Sequence, residues 1–128
     1  MWRRLTRLSP LLVLLLSGEV FAVGLGEIQL NSALNEPLRA EIVLLSASPE
    51  ELTELVVNLA SAETFERYGI DRPFYLQEVE FKVELGGVAG SVVKIRSRSP
   101  ITEPFLTFLV EATWPSGRLL REYTVLLD

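Results

Sequence analysis

The stretch that most limits how this chain can fold is its last, PFLTFLVEATWPSGRLLREYTVLLD (Pro104–Asp128). Two runs rich in β-branched, aromatic and leucine residues flank Pro115, Ser116 and Gly117, so the segment reads as one long β-hairpin. Proline presets φ for the first turn position, and glycine can take the left-handed conformation that closes a three-residue loop. That loop predicts Trp114 facing Arg118, Ala112 facing Leu120 and Glu111 paired with Arg121. In this register Leu106, Phe108, Val110 and Leu126 share one face, while Phe105, Leu109, Tyr123, Val125 and Leu127 share the other. Both faces are then apolar, which predicts a hairpin covered on both sides.

Upstream, Leu38–Leu45 alternates Leu38, Ala40, Ile42 and Leu44 with Arg39, Glu41, Val43 and Leu45, the period of a strand. Leu25–Leu30 is a shorter strand, and NSALNEP (31–37) is turn-forming. The period changes at Ser48-Pro49-Glu50-Glu51, which combines an N-cap, a first-turn proline and a glutamate three residues after the cap. Leu52, Leu55, Val56 and Leu59 follow at helical spacing and predict a helix of about three turns. Ser61 is expected to cap a second, short helix ending before Gly69. Tyr75–Leu85 and Ser91–Ser97 return to alternation around a turn at Gly86–Gly90, with Val79, Phe81, Val83, Leu85, Val93 and Ile95 inward. The predicted fold is mainly β, an immunoglobulin-like two-sheet sandwich with a short helical insertion that covers the second face of the hairpin. The alternative is an α+β sheet with helices on one face.

The first residues read differently. Arg3, Arg4 and Arg7 precede an apolar run, Leu8–Leu16, and Val20-Phe21-Ala22 offers a cleavage site, so residues 1–22 are expected to be a signal peptide and 23–128 the exported domain. The apolar run contains Ser9 and Pro10 and is far shorter than the roughly 20 residues of a membrane span. Cleavage takes the basic and acidic groups from 12 and 17 to 9 and 16, a net charge of −7, which disfavours nucleic acid as a partner. With no cysteine, stability must come from the core.

No cysteine and no histidine remove the common zinc, haem, iron–sulfur and Cys–His chemistries. No cofactor is expected, and a metal site would have to be built from carboxylates alone. Glu78, Glu80 and Glu84 face the basic stripe Lys94, Arg96 and Arg98 across the Gly86–Gly90 turn, so cross-strand pairing explains both better than a glycosidase pair or a binding ridge. Ser91-x-x-Lys94 matches a Ser–Lys nucleophile in spacing, but that geometry belongs to a helix and these residues to a strand. No small-molecule substrate is implied, and the chain is not expected to be an enzyme. The remaining candidate is the hairpin tip: Trp114 is either an aromatic anchor for a partner, with Arg118 beside it, or a rim residue closing the end of the core.

Three segments, LGEIQLNSALNEPLRAEI (Leu25–Ile42), GIDRPFYL (Gly69–Leu76) and SRSPITEPFLTFLVEATWPSGRLLREYTVLLD (Ser97–Asp128), closely resemble the N-terminal periplasmic domain of the FimV family. The resemblance covers essentially all of the expected mature chain. It implies a periplasmic, non-catalytic interaction module with envelope or pilus-assembly partners, serving type IV pilus assembly, twitching motility or cell-pole organisation. In that family the domain is typically followed by a peptidoglycan-binding LysM module, a transmembrane helix and a cytoplasmic tail. This sequence contains none of these, so peptidoglycan enters as a partner only if a longer product carries that module, and inner-membrane association likewise. The alternative reading is a chaperone-like sandwich lending the edge Leu25–Asn31 to an exported subunit by strand addition.

Overall fold

The computed structural model describes residues 23–45, 48–87 and 90–128; the expected signal peptide and the centre of the Gly86–Gly90 turn lie outside the described residues. Among the described residues seven strands form two antiparallel sheets. Strands β1 (Gly24–Leu30), β2 (Pro37–Leu45), β4 (Glu80–Gly87) and β5 (Gly90–Pro100) make a four-stranded sheet in the order β1-β2-β5-β4. Strands β3 (Val56–Leu59), β6 (Phe105–Trp114) and β7 (Gly117–Leu126) make a three-stranded sheet in the order β3-β6-β7. The inner faces enclose one core, in which Leu38, Ile42, Val93, Ile95, Phe65, Leu76, Leu106, Phe108 and Val110 are all buried.

The alternation read for β2 is the one observed: Leu38, Ala40 and Ile42 are buried and Arg39, Val43 and Leu45 exposed. The helical excursion is shorter than expected. The capping box forms, with Ser48 Oγ accepting from Glu51 N–H and Glu51 Oε1 from Ser48 N–H, but α1 spans only Pro49–Thr53. Val56–Leu59, expected to continue the helix, is β3. Its β-branched pair Val56-Val57 suits an extended backbone, and the free side of β6 offers a ladder that a helix could not use: Val57 pairs with Ala112 and Leu59 with Val110. The second helix, α2 (Ala62–Arg67), is capped by Ser61 and ends at Gly69, whose φ of 71° is the left-handed closure expected there. Tyr75–Glu78, expected as the start of a strand, belongs to a 3-10 helix, Phe74–Glu78, behind Pro73; β4 begins at Glu80.

The hairpin register is the main correction. The loop is two residues, Pro115 and Ser116, so Trp114 pairs with Gly117, Ala112 with Leu119, Glu111 with Leu120 and Val110 with Arg121. Gly117 has no positive φ and is a strand residue. A shift of one residue moves every β7 side chain to the other face. Tyr123 and Val125 therefore join Leu106, Phe108 and Val110 in the core, while Leu126 and Phe105 face outward, 53% and 67% exposed. The outer face is consequently mixed, with Thr107 bonded to Thr124 beside the buried Leu109, and the helical excursion leaves Phe105 and Leu126 uncovered.

Three register shifts shape the four-stranded sheet, in β1, in β5 and between Glu84 and Gly87 of β4. In β1, three steps from Leu25 to Ile28 match two from Leu44 to Ile42, so one extra residue is inserted at Gly26-Glu27. In β5 the excess lies after Arg96, opposite Arg39, where Ser97 turns inward; its Oγ accepts from Leu38 N–H at 2.8 Å and donates to Ser99 C=O at 2.8 Å. Ser97→Ala leaves the Leu38 N–H buried without a partner and is expected to destabilise the fold by about 1–3 kcal/mol in denaturant unfolding, whereas Ser99→Ala should change it by less than about 0.5 kcal/mol.

Candidate interaction surface

The two residues singled out at the hairpin tip occupy different environments. Trp114 is at the edge of the core, 9% exposed, and closes its end as a rim residue. Its indole ring lies against Gly117, where a Cβ would stand 2.8 Å from Trp114 Cζ2. Glycine is required there by this close approach, not by its backbone angle. The indole N–H is buried with no hydrogen-bond partner among the described residues. Arg118 is exposed, and its Nε donates to Glu111 Oε2, two residues along the neighbouring strand from its direct partner Thr113. The structure thus gives Arg118 the carboxylate that the three-residue loop assigned to Arg121. The tip also touches α1, since Ser116 Oγ donates to Glu51 Oε2, the second oxygen of the capping-box glutamate, at 3.4 Å.

Arg121 does something the sequence did not announce. From the inner side of β7 its Nη1 donates to the carbonyls of Leu25 and Gly26 in the β1 bulge, and its guanidinium sits 4.8 Å from the Tyr123 ring centroid. Tyr123 Oη donates to the same Gly26 carbonyl at 2.7 Å. Burial pushes the Tyr123 phenol above its ordinary pKa, and the Arg121 cation beside it pulls the other way. The bulge turns these carbonyls out of the β1 ladder, and the facing sheet supplies their donors. Gly26 is held tightly: a Cβ there would meet the Val43 carbonyl oxygen at 3.0 Å.

On the outer face of the four-stranded sheet, Lys94 lies between Glu41 and Glu84 at 3.6 Å from each, and Arg98 reaches Glu80 at 3.7 Å. Lys94 and Arg98 thus find carboxylates across the sheet as their placement implied, while Arg96 has no ion pair among the described residues and Glu78, on the 3-10 helix, accepts from Ser99 Oγ. Such exposed pairs contribute about 0–1 kcal/mol each and mainly fix register. No group of three or more Asp and Glu among the described residues is placed to hold a metal ion. A cleft of about 410 Å³ opens between β3 and β4, lined by Asn58, Arg72, Leu76, Gln77 and Phe81 among others. Arg72 is anchored there, donating to Ala60 C=O and lying over the Phe65 ring.

The model of the FimV N-terminal domain, described as an Ig-like domain, matches residues 23–128, which include both sheets and the whole core above. The chain belongs to this family. Motility hub protein FimV of Pseudomonas aeruginosa, from strains PAO1 and UCBPP-PA14, is 47% identical to it over 98% of this chain. The chain spans 14% of the length of those relatives. No solved structure matches. The FimV-type domain is therefore a two-sheet Ig-like sandwich, and its outward-facing apolar residues Phe74, Phe105 and Leu126 are features that the expected register or strand assignment had placed inside or left unmarked. Alternation on either side of a two-residue loop would have found the last two.

The Trp114–Gly117 contact yields a direct test. Gly117→Ala should destabilise the fold by about 1–3 kcal/mol and shift the Trp114 emission to the red, because the ring must move aside. Arg118→Ala, which removes only an exposed ion pair, should cost less than about 1 kcal/mol and leave the emission unchanged.

Proposed function

We propose that this chain is a periplasmic interaction module of a motility-hub system, acting without catalysis in type IV pilus assembly, twitching motility or the organisation of the cell pole. The observation that carries this reading is the 47% identity to the motility hub protein FimV across 98% of the chain. The composition agrees with it: a chain without histidine or cysteine has few routes to nucleophilic or metal chemistry, and a domain that presents a surface needs neither. Residues 1–22 serve as the export signal in this reading, and the partners are other envelope or pilus-assembly proteins. At the hairpin tip Arg118 is the residue offered to a partner, while Trp114 supports the tip from beneath. Strand addition through β1 is the weaker reading, because β1 is paired with β2 and its outward carbonyls at Leu25 and Gly26 already have donors from Arg121 and Tyr123.

The test is genetic. In the strain that encodes this chain, removing the gene should shrink twitching zones and reduce surface pili, and a copy lacking residues 23–128 should fail to restore them. Full restoration by that deleted copy would refute the proposal.

A further inference from the structure

The sandwich has four edge strands, and three of them carry features that discourage pairing with another chain. In β1 the bulge at Gly26-Glu27 interrupts the ladder, and Arg121 and Tyr123 occupy its carbonyls. β3 is four residues long. β4 is irregular between Glu84 and Gly87 and lies close to β3. β7 is different: it runs ten residues, without proline or bulge, in unbroken register with β6.

The groups that β7 leaves open follow from its two-residue loop. Trp114 and Gly117 form the hydrogen-bonded pair beside the turn, so Ala112–Leu119, Val110–Arg121, Phe108–Tyr123 and Leu106–Val125 exchange the ladder bonds. The bond from Leu127 N–H to Pro104 C=O continues the same alternation. The residues between these, Arg118, Leu120, Glu122, Thr124 and Leu126, direct their N–H and C=O away from β6, and none has another backbone partner among the described residues. Their side chains lie together on the outer face, in the order cation, leucine, anion, threonine, leucine.

That order is self-complementary. We propose that β7 pairs with β7 of a second copy of this chain, antiparallel and centred on Leu120, joining the two three-stranded sheets into one. In this register Leu120 faces its own counterpart, Arg118 faces Glu122 of the second copy, and Glu122 faces Arg118 of the second copy. All three of these residues hold open backbone groups, so the same alignment that pairs the charges also pairs their N–H and C=O groups. Registers centred on Glu122 or on Thr124 place like residues opposite one another or leave Arg118 without a carboxylate across the interface. The Arg118 guanidinium has donors enough to keep Glu111 while engaging a second carboxylate. Arg121 and Tyr123 remain on the inner face, bound to β1, and take no part.

The test uses the chain as the cell produces it, purified and examined by sedimentation velocity over a range of concentrations. The parent should show a reversible dimer. Arg118→Glu alone and Glu122→Arg alone each set like charges opposite one another twice and should weaken the dimer by about tenfold or more. An equimolar mixture of the two variants should recover it, because the heterodimer restores both ion pairs; a loss of folding could not be repaired by mixing. As the chain has no cysteine, Leu120→Cys is a clean reporter and should be linked to itself by a short bismaleimide, whereas Asn58→Cys on β3 should not. A parent that stays monomeric, variants that dimerise like the parent, a mixture no stronger than its components, or equal linking at Asn58→Cys would each overturn the proposal.

Discussion

The bond from Tyr123 to the Gly26 carbonyl, reinforced by Arg121, is the constraint on which the arrangement of the two sheets depends. A bulge in an edge strand exposes carbonyl groups that its own sheet cannot satisfy, and burying them unpaired would cost about 1–3 kcal/mol each. Here the donors come from the opposite sheet, so β1 and β7 are fixed relative to one another by directional bonds as well as by apolar contact. Three features of the chain must agree for this to happen. Gly26 must lack a side chain so that the strand can pass the Val43 carbonyl, the hairpin loop must be two residues long, and Arg121 and Tyr123 must consequently share the inner face. A loop one residue longer would direct both away from β1.

That dependence explains which parts of the fold were legible in the sequence. Alternation in β2 and β5, the capping box at Ser48 and the short helix between Ser61 and Gly69 are local patterns that formed as their residues implied, whereas β4 begins only at Glu80 and Leu85, expected inward, is 48% exposed. The turn at Pro115-Ser116-Gly117 was ambiguous because glycine suggested a left-handed closing position, whereas its actual constraint is the Trp114 ring, a contact that no local rule contains. The one-residue error then spread along β7, made the outer face look apolar, and called for a cover that the helices do not provide. β3 was missed for a related reason. Leu52, Leu55, Val56 and Leu59 carry a helical period, but the free ladder of β6 outweighed it, a tertiary preference that overrode the local one.

The candidate site was legible in part. Arg118 is accessible, as the tip position suggested, but Trp114 is a core residue and the cation–carboxylate pair is Arg118–Glu111. On the four-stranded sheet Lys94 and Arg98 are committed to carboxylates, and the three-stranded sheet offers a different surface: an open ladder edge, an arginine at one end and the exposed pair Phe105 and Leu126 at the other.

The central claim is that side chains of β7 hold β1 in place, and native-state amide exchange along β1 tests it most directly. In the parent chain the amides of Ile28–Leu30 that bond to β2 should be nearly as protected as those of β6, opening only with the whole domain. Combining Tyr123→Phe with Arg121→Ala should release β1 into faster local exchange while β6 keeps most of its protection. A β1 that already exchanges orders of magnitude faster than β6 in the parent, or one whose protection the double substitution does not change, would contradict the account.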